Sequence, residues 1–523
     1  MDKEVLYENF KKHIEQWQQF LEMSVDSLKK EDGQFVKNPD KNINLDIDGE
    51  LIKKDRQLKI LTNVLNGAVC NPKLLIDFIC PEYCEEIKIE KIPDNLWIQK
   101  NLDSAQKEAV ARAIQTDSLA FIQGPPGTGK TTVITEICLQ LLRINPMIRI
   151  LVCSETHVAV DNLIEKFLKL EEVGRVSHLN CVRAFAKNKD GKDNSTEDVS
   201  VNSRIDEYVN ILHKACVNEN IIGELMELFN KNTKAISKEF MLNADIVGVT
   251  CNSLARINFN VNETFDYVIF DEVCKATFPE ILIPLSISKR AILVGDPNQL
   301  PPVFLQEEQE IMDRIDECKL TEYMYIDTLF DRLKDDKKKF LENQYRMTNE
   351  IGNIISKHFY NAKLKNGRNV SIKDSILWYD YDPSGEWGKG SGSPYNLDEV
   401  DIVKKILAEQ NRKGEKIQVA VITSYKGQKG ELIKAINKKE YPNLNIDIDT
   451  IDSFQGKDAD VVIFCITRTT GSLMFFSNPR RLNVALSRAK NLCCIIGYSK
   501  FATNNKTLRN IYNSIKHIKI EGE

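Results

Sequence analysis

The feature that most constrains this chain is a glycine-rich loop that follows an apolar run and closes on a lysine and two threonines. The segment SLAFIQGPPGTGKTT, residues 118–132, satisfies the pattern G-x-x-x-x-G-K-S/T. Glycines let the backbone turn its N–H groups inward around phosphate oxygens, and the helix that begins here directs its positive end at the same anion. The segment therefore predicts a P-loop on an α/β sheet. The alternative is an ordinary glycine-rich turn before a helix.

Each residue type in this loop has a predicted task in binding a nucleotide. Lys130 reaches the β- and γ-phosphates, and the hydroxyl of Thr131 is the predicted Mg²⁺ ligand. The rest of the loop is predicted to surround the phosphates, namely Gly124, Pro125, Pro126, Gly127, Thr128, Gly129 and Thr132. ATP and Mg²⁺ are therefore the cofactors that the sequence predicts.

Two later apolar runs end in polar residues of the kind that phosphoryl transfer uses. YVIFDE, residues 267–272, ends in Asp271, which we predict to hold Mg²⁺ through water, and Glu272, which we predict to polarise the attacking water. AILVGDPNQLPP, residues 291–302, contains Gln299, whose neutral amide can sense the γ-phosphate. An acidic pair after a strand is commonly a solvated strand end, and the P-loop upstream favours the catalytic interpretation.

Hydroxyl side chains follow another apolar run, residues 148–153, which predicts a buried strand. Ser154 and Thr156 stand at its carboxyl end, where open α/β sheets bind ligands. Their hydroxyls could hold a nucleic-acid phosphate or could cap the helix that begins there. The residues alone favour the helix cap.

Length and composition indicate a globular protein of several domains. One hydrophobic core rarely serves 523 residues, so we expect about two to four domains. No apolar run reaches membrane-spanning length, and the first residues, MDKEVLYENFKKH, are charged where a secretory signal is apolar. Thirteen cysteines, an odd number spread along the chain, favour a reducing compartment, so we expect a cytoplasmic protein. Because no apolar run could span a membrane, we also expect no membrane partner. The net charge of −5 neither indicates nor excludes a basic groove for nucleic acid.

The first hundred residues predict an accessory region. Apolar side chains recur at helical spacing and predict an amphipathic helix that packs into a core, with a partner-binding stripe as the alternative. They are Leu6, Phe10, Ile14, Trp17 and Leu21. Ile43 to Ile47 alternates apolar and polar residues and ends in Asp48-Gly49, which predicts a strand and turn of a small barrel or hairpin.

Three cysteines in this region raise the question of a zinc site, namely Cys70, Cys80 and Cys84. A four-ligand set would need a C-x-x-C pair or a nearby histidine, and the segment offers neither. We interpret all three as buried thiols, and the sequence leaves open whether Cys80 and Cys84 bind metal.

Six segments of the chain occur in an informative order. They are the P-loop, DE at 271–272, GDPNQLPP at 295–302, QYRM at 344–347, DSFQGKDAD at 452–460 and RLNVALSRAK at 481–490. In this order the chain resembles superfamily 1 helicases, and more narrowly the group that contains the up-frameshift helicase of nonsense-mediated decay and the immunoglobulin mu-binding helicase. The resemblance covers roughly residues 100–500, and six ordered motifs are a specific signal.

The resemblance implies roles for several residues beyond the P-loop. Gln106 would read adenine, Gln299 would couple the nucleotide state to nucleic acid, and Tyr345 would stack on the base. Arg346 and Arg488 would reach the triphosphate from the second domain, where a guanidinium can neutralise charge on the departing phosphoryl group.

The resemblance also extends to residues around the nucleotide and along the nucleic acid. Gly456 and Asp458 would contact the nucleotide, although the family usually has the longer glutamate at the position of Asp458. Hydroxyl-bearing residues would touch the nucleic-acid backbone, although such hydroxyls also cap helices. They are Thr156, Thr250, Tyr425 and Thr450, to which Ser154 is added for its place at a strand end.

Apolar runs of strand length also occur in the second half of the chain, as they do in the first, and they predict a second parallel sheet. The predicted strands are QVAVITSY at 418–425, residues 450–454, DADVVIFCIT at 458–467 and NLCCIIGY at 491–498. We expect an α/β fold of two RecA-like P-loop domains with parallel sheets, plus small N-terminal and inserted helical subdomains. The predicted bounds are 1–97 for an N-terminal helical or small β region, 98–325 for motor domain 1 with a helical insert at 187–240, and 326–523 for motor domain 2.

These observations predict an ATP-dependent helicase or translocase that acts on single-stranded DNA or RNA, with ATP in the cleft between the domains. The resemblance implies movement from 5′ to 3′. Two alternatives stay open at this point: an ATP-gated nucleic-acid clamp that unwinds nothing, and a P-loop ATPase without nucleic acid. Residues 1–97 are the predicted surface for protein partners.

Overall fold

Two parallel β-sheets, one in each half of the chain, organise the fold. The structure is a computed structural model, and it describes residues 3–30, 47–80, 89–172, 179–184, 199–215, 218–259, 262–302, 330, 333, 337–384, 387–390, 393–473 and 476–520. The α/β class expected from the sequence is confirmed, since every strand pair within these two sheets is parallel.

The first half of the chain contains the N-terminal helices and a seven-stranded sheet. Its elements are α1 Lys3–Lys30, α2 Ile47–Leu65, α3 Pro72–Ile79, α4 Ser104–Ile114, β1 Leu119–Gln123, α5 Lys130–Ile144, β2 Ile150–Ser154, α6 His157–Glu172, β3 Cys181–Arg183, α7 Val201–Lys214, α8 Glu219–Lys231, α9 Thr233–Leu242, β4 Ile246–Thr250, α10 Cys251–Leu254, β5 Phe265–Asp271, α11 Phe278–Ser286, β6 Ser288–Gly295 and β7 Lys338–Phe340. The strand order is β3-β4-β2-β5-β6-β1-β7.

The glycine-rich loop begins where β1 ends, inside this sheet. All residues of β1 are buried, and the strand lies between β6 and β7, which is why an uninterrupted apolar run encodes it. β5 ends at Asp271 and β6 ends at Gly295. Because the carboxyl ends of parallel strands meet at one edge of a sheet, the fold brings these three predicted motifs together.

The strand beside β1 corrects the predicted boundary between the motor domains. β7 lies beyond residue 325, yet it pairs in parallel with β1. The backbone N–H of Leu341 also donates to the carbonyl of Gln123 at 2.9 Å. The first sheet therefore continues past its predicted end, because a strand of only three residues carries too little periodicity to be recognised.

The second half contains a six-stranded sheet and its helices. Its elements are β8 Asn343–Gln344, α12 Asn349–Phe359, β9 Lys365–Asn366, β10 Ile376–Tyr381, β11 Trp387–Gly390, β12 Ser393–Asn396, α13 Leu397–Arg412, β13 Ile417–Thr423, α14 Lys426–Ala435, β14 Leu444–Thr450, β15 Ala459–Cys465, α15 Pro479–Leu486, β16 Ala489–Ile496, α16 Ser499–Ala502, α17 Lys506–Tyr512 and β17 Lys516–Ile520. The strand order is β14-β13-β15-β16-β10-β17, and β11 and β12 form a separate hairpin.

Three predicted strands of this sheet are confirmed as β13, β15 and β16, and the fourth is wrong. Residues 450–454 do not form a strand, because β14 ends at Thr450 and Asp452–Phe454 form a short 3₁₀ turn. The true strand lies just before this segment, at the edge of the sheet, where buried and exposed residues alternate. Outward-facing polar residues such as Asn445 and Asp447 interrupt the apolar run that identified the inner strands.

The N-terminal region is helical where the structure describes it, and it packs on motor domain 1. Trp17 of α1 stacks on Phe278 of α11, with ring centroids 5.8 Å apart. Phe78 of α3 also stacks on Phe278, at 5.4 Å. Ile14 and Trp17 are fully buried, so the predicted amphipathic first helix is a core element and the partner-binding stripe is excluded for that face.

The strand and turn predicted at Ile43 to Gly49 are wrong in their described part. Ile47, Asp48 and Gly49 form the first turn of α2, and residues 43–46 lie outside the described residues. An aspartate in the first turn is favourable because the helix end presents unpaired N–H groups and a positive dipole. The Asp-Gly pair was therefore a helix-start signal in this context.

The thiols of this region give no metal site in the part of the chain that the structure covers. Cys80 is buried, Cys70 is half-buried, and Cys84 lies outside the described residues. No group of three or more His, Cys, Asp or Glu among the described residues is placed to hold a metal ion. Of the described helices, none combines the length and apolarity needed to cross a membrane.

The predicted insert contains three helices, α7, α8 and α9, between β3 and β4. The last of them ends at Leu242, and residues 187–198 of the predicted insert lie outside the described residues. The bounds 187–240 therefore stay a prediction.

Candidate active site

A cleft of about 400 Å³ lies between the two domains, at the carboxyl edge of the first sheet. Both domains supply its walls. The predicted nucleotide residues that line it are Pro125, Pro126, Gly127, Thr128, Gly129, Lys130, Thr131, Thr132, Asp271, Glu272, Gln299, Tyr345, Arg346, Gly456, Asp458 and Arg488. The structure thus brings together residues that are more than three hundred positions apart in the chain.

The loop after β1 has the backbone shape that a phosphate cradle requires. Gly127 and Gly129 have φ angles of 76° and 79°, in the left-handed region where side chains are disfavoured. A Cβ on Gly127 would also lie 2.7 Å from the Cβ of Arg346, so the second domain approaches the loop closely. α5 begins at Lys130 and points its N-terminal N–H groups at the same space, so the residues present fit a nucleotide phosphate.

Lys130 lies at the centre of the charges in the cleft. Its Nζ donates to the carbonyl of Gly124 at 2.9 Å and lies 3.6 Å from Oε1 of Glu272. Glu272 itself has a φ of 54°, a left-handed conformation that is strained for a residue with a Cβ. A strained acid beside the P-loop lysine is typical of a catalytic position.

The two acids at the end of β5 differ in charge state. Burial and the neighbouring Glu272 raise the pKa of Asp271 to about 7. Burial would also raise the pKa of Glu272, but Lys130 and Arg488 outweigh it and lower that pKa. Glu272 is therefore ionised and able to accept a proton, whereas at Asp271 burial and the charge of Glu272 outweigh the attraction of Lys130. Thr131 and Asp271 line the same cleft, so this donor set fits the predicted metal.

Two arginines enter the cleft from the second domain, as the resemblance implied. Arg346 pairs through Nε with Asp458 at 3.2 Å. Arg488 donates to the side-chain oxygen of Gln299 at 3.2 Å. Burial and the nearby Arg346 lower the pKa of Arg488 to about 10, because two adjacent guanidinium groups repel each other. An anion between them would relieve this repulsion.

Gln106, predicted to read adenine, lies behind the loop and does not line the cleft. Its amide nitrogen donates to the carbonyl of Thr128 at 2.9 Å, and its oxygen accepts from the N–H of Asp103 at 3.0 Å. A Cβ on Gly129 would meet that amide nitrogen at 2.8 Å. In this structure Gln106 thus has two roles. Its amide nitrogen supports the P-loop through Thr128, and its amide oxygen completes the capping box at the start of α4.

Tyr345, predicted to stack on the base, lines the cleft and is held firmly. Its hydroxyl donates to Asp103 at 2.6 Å, which joins the second domain to the N-cap of α4. Gly367 lies against the ring, where a Cβ would come within 2.4 Å of Cε1. A flat ring supported by a glycine is a suitable platform for a base.

Sequence reasoning missed five polar residues in the walls of the cleft: Asn162, Lys275, Arg368, Gln455 and Lys490. Lys490 pairs with Asp458 at 2.7 Å, so the shorter acid at that position is used by two cations, Arg346 and Lys490. Lys275 follows the acidic pair closely and Lys490 ends the motif RLNVALSRAK, so nearness to a motif was the signal that could have found both.

The predicted nucleic-acid residues lie at or just beyond the carboxyl ends of strands, but they do not gather in the cleft. Ser154 and Thr250 end β2 and β4 and are partners in register. Both are buried in this structure, and direct contact with nucleic acid stays a prediction for these two. The hydroxyl of Thr250 instead donates to Ser253 at 2.9 Å.

The other three hydroxyls differ in their surroundings. Thr156 lines the nucleotide cleft and accepts a long 3.4 Å bond from the N–H of Ala159, so it is a helix cap beside the nucleotide. Tyr425 is buried and lies under the guanidinium of Arg468, 5.4 Å from the ring centroid. Thr450 is half-buried at the end of β14.

Two family models match the chain, each described as an AAA domain. One covers residues 101–224 and 210–307, and the other covers residues 325–500. The two matches fall on the two sheets and include every motif that lines the cleft.

Known helicases match over most of this chain. An uncharacterized ATP-dependent helicase of Methanocaldococcus jannaschii is 28% identical over 84% of this chain and 73% of its own length. The ATP-dependent helicase NAM7 of Saccharomyces cerevisiae is 30% identical over 77% of this chain and 42% of its own length. A crystal structure of Arterivirus nonstructural protein 10, a helicase, aligns with 78% of this chain and with 63% of its own chain. The TM-score is 0.39 and the sequence identity is 16%.

The chain spans between 33% and 73% of the length of the curated relatives that it matches, so their other regions have no counterpart in this alignment. Within the matched region the P-loop, the acidic pair and the two arginines stand together in one cleft. The chain belongs to the superfamily 1 helicases, in the group that contains NAM7 and the regulators of nonsense transcripts.

Proposed function

We propose that this chain hydrolyses ATP in the cleft between its two domains and uses the cycle to move along, and unwind, nucleic acid. The observation that carries the proposal is that Arg346 and Arg488 of the second domain line the same cleft as Lys130 and Glu272 of the first. Hydrolysis that needs residues from both domains responds to how the domains sit, and a change in that arrangement is what moves a strand.

The chemistry follows from the position of each side chain. Lys130 and the N-terminal N–H groups of α5 bind the phosphates, and Glu272 accepts a proton from the attacking water. Arg346 and Arg488 neutralise the charge that develops on the departing phosphoryl group. Thr131 and Asp271 would hold Mg²⁺, which supplies further positive charge to the phosphates when bound.

The proposed substrate is single-stranded DNA or RNA, bound across the carboxyl ends of the strands in both sheets. Among the predicted hydroxyls, Thr450 is half-exposed at that edge, whereas Ser154 and Thr250 are buried at the ends of β2 and β4. The proposed direction of movement is 5′ to 3′, from the family resemblance alone. A backbone-tracking edge of this kind does not choose between DNA and RNA.

We also propose that the protein acts in the cytoplasm. Thirteen cysteines occur in the chain, and those that the structure describes are thiols, most of them buried. Buried thiols persist in a reducing compartment. The N-terminal helices offer a surface to protein partners on the side of α1 and α2 that does not pack on α11.

The test compares ATP hydrolysis with and without single strands. We expect turnover to rise when oligo-dT or oligo-U is added, and the more effective of the two identifies the substrate. A duplex with a 5′ single-stranded tail should be unwound, and one with a 3′ tail should not. Stimulated ATPase without strand displacement from either duplex would favour an ATP-gated clamp, and ATPase that no strand stimulates would contradict the nucleic-acid assignment.

A further inference from the structure

A network of hydrogen bonds joins the two domains beside the nucleotide cleft, and the backbone between Asn483 and Arg488 closes it into a ring. Asp296 and Gln299 come from the loop after β6, in motor domain 1. Tyr360 follows α12, and Asn483 and Arg488 lie in and just after α15, all in motor domain 2. Each of these side chains is almost fully buried.

The ring crosses the domain boundary twice. The hydroxyl of Tyr360 donates to Oδ2 of Asp296 at 2.5 Å, and the same oxygen accepts from the amide of Gln299 at 3.0 Å. On the other side of the ring, Arg488 donates to the amide oxygen of Gln299 at 3.2 Å. Both polar atoms of the Gln299 amide are therefore fixed, the nitrogen by Asp296 and the oxygen by Arg488.

Asn483 closes the ring through helix α15. Its amide nitrogen donates to the Tyr360 hydroxyl at 2.8 Å and to the carbonyl of Asn298 at 2.7 Å. Asn483 and Arg488 are five residues apart and linked by the end of one short helix. The position of Tyr360 thus determines where the helix that carries Arg488 sits relative to the loop that carries Gln299.

We infer that Tyr360 is a positioning residue that aligns Arg488 and Gln299 for ATP hydrolysis when the two domains close. This inference rests on the proposed function, because it assumes that Arg488 acts on the phosphate. Tyr360 itself is outside the residues that line the nucleotide cleft, so its effect is exerted through the ring.

Chemistry explains why a tyrosine suits this position. Asp296 is a buried carboxylate whose donors within its own loop are the N–H of Asn298 and the amide of Gln299. The Tyr360 hydroxyl supplies a further donor from the other domain, and a buried carboxylate that loses a donor is strongly disfavoured. Closure of the domains therefore satisfies Asp296 and orders Gln299 in the same step.

The chain contains a matched control for this arrangement. The hydroxyl of Tyr381 donates to the buried carboxylate of Glu399 at 3.1 Å and accepts from the amide of Asn396 at 2.7 Å. This triad repeats the chemistry of Tyr360, but it lies wholly within motor domain 2. Substitution of either tyrosine by phenylalanine removes one buried hydroxyl bonded to a carboxylate and an amide, and only one of the two changes the domain interface.

The experiment measures kcat and KM for ATP, with saturating single strand, in the parent, Tyr360→Phe and Tyr381→Phe, together with the midpoint of thermal unfolding. We expect Tyr360→Phe to lower kcat by about tenfold with KM changed by less than about twofold. The hydrogen bond from the Tyr360 hydroxyl to Asp296 forms only when the domains are aligned, so its removal affects the aligned, reactive state and not the binding of ATP. Tyr381→Phe should lower the unfolding midpoint and leave kcat per folded molecule at the parental value. Parental kcat in Tyr360→Phe, or an equal loss of kcat in both variants, would overturn the inference.

A second pair of variants tests whether the ring acts as a unit. Asn483→Ala should lower kcat, and the double variant Tyr360→Phe/Asn483→Ala should be no slower than the slower single variant. Independent, multiplying losses would contradict a shared alignment role. The parent serves as the reference for the proposed function: if it hydrolyses no ATP at all, the assignment of the active site fails, whereas an active parent with a fully active Tyr360→Phe variant overturns the ring alone.

Discussion

The nucleotide cleft and the carboxyl edges of the sheets carry predicted residues of two different kinds. In the cleft, Lys130, Glu272 and Arg488 are charged and largely buried, and Glu272 has a left-handed backbone and lies 3.6 Å from Nζ of Lys130. At the edges, Ser154 and Thr250 are neutral hydroxyls that the fold has already buried. The difference is that the cleft is built from charged groups that already contact one another or their neighbours, whereas the two edge hydroxyls are covered by the protein, and of these two only Thr250 has a hydrogen-bond partner among the described residues.

The largest expected effect comes from the charge at the centre of the cleft. Lys130→Ala should abolish ATP hydrolysis, a loss of at least about a hundredfold, because it removes the cation that meets the β- and γ-phosphates. Single-strand binding should persist, since Lys130 lies in the nucleotide cleft and is not one of the strand-end hydroxyl residues proposed to meet the single strand. Turnover of this variant with saturating single strand, beside a filter-binding measurement of affinity, checks both halves. Normal turnover would remove the basis for the ATPase assignment.

The next effect separates ATP binding from chemistry. Glu272→Gln should bind ATP with Mg²⁺ but turn over about a hundredfold more slowly, because an amide cannot take the proton of the attacking water. Nucleotide affinity can be followed with a fluorescent ATP analogue, and turnover by phosphate release. An unchanged kcat would assign the lowered pKa of Glu272 to a structural role.

The arginines from the second domain test whether the cleft is a shared site. Arg488→Ala should lower kcat by about a hundredfold and change nucleotide affinity much less, and Arg346→Ala should act in the same direction. Lys365→Ala is a control, since this exposed cation pairs with Glu342 at 2.6 Å and does not line the nucleotide cleft. Should both arginine variants lose only affinity, the arginines bind ATP without acting on the transition state.

The smallest expected effects lie at the carboxyl edges, where an exposed hydroxyl can be compared with a buried one. Thr450→Val should weaken single-strand binding by about threefold, the cost of one exposed hydrogen bond. Thr250→Val removes a buried hydroxyl that donates to Ser253, so it should lower the free energy of unfolding by about 1 kcal/mol and leave affinity at the parental value. Affinity measured by fluorescence anisotropy and stability measured by urea unfolding distinguish the two. A larger loss of affinity in Thr250→Val would show that the buried hydroxyl reaches the nucleic acid after all.

The same difference explains how much of the molecule could be predicted. β1 and the carboxyl-terminal parts of β5 and β6 are buried and appear as apolar runs, and the residues that follow them need particular charges or glycines. A hydroxyl carries no such information, because threonine and serine at a strand end cap helices and satisfy backbone groups as often as they bind ligands. Thr156 was therefore assigned to nucleic acid, although the structure places it in the nucleotide cleft.

Other features escaped prediction because they depend on contacts across the fold. β14 alternates buried and exposed residues at a sheet edge, so it carries the period-two pattern of a strand and not the unbroken apolar run that identified its neighbours. Gln106 accepts from Asp103 in a capping box, which is a local pattern, but the bond from its amide nitrogen to the carbonyl of Thr128 joins residues 22 positions apart and is not visible in the local sequence. The Tyr360 ring joins segments that lie more than sixty residues apart in the chain. The local sequence therefore indicates where helices and strands form, whereas the hydrogen-bond partner of a buried polar group depends on the tertiary structure.

The position of β7 has a consequence for making and dissecting this protein. β1, which carries the P-loop, is flanked on one side by β6 and on the other by β7, a strand of only three residues that is synthesised more than two hundred positions later. A ribosome would therefore expose the unpaired side of β1 for tens of seconds, at about 5–20 residues per second, before residue 340 emerges. A fragment that stops at residue 325 would keep that side open permanently, and an unpaired inner strand is a template for aggregation. An expressible first domain should end after Phe340, where three backbone residues complete the sheet.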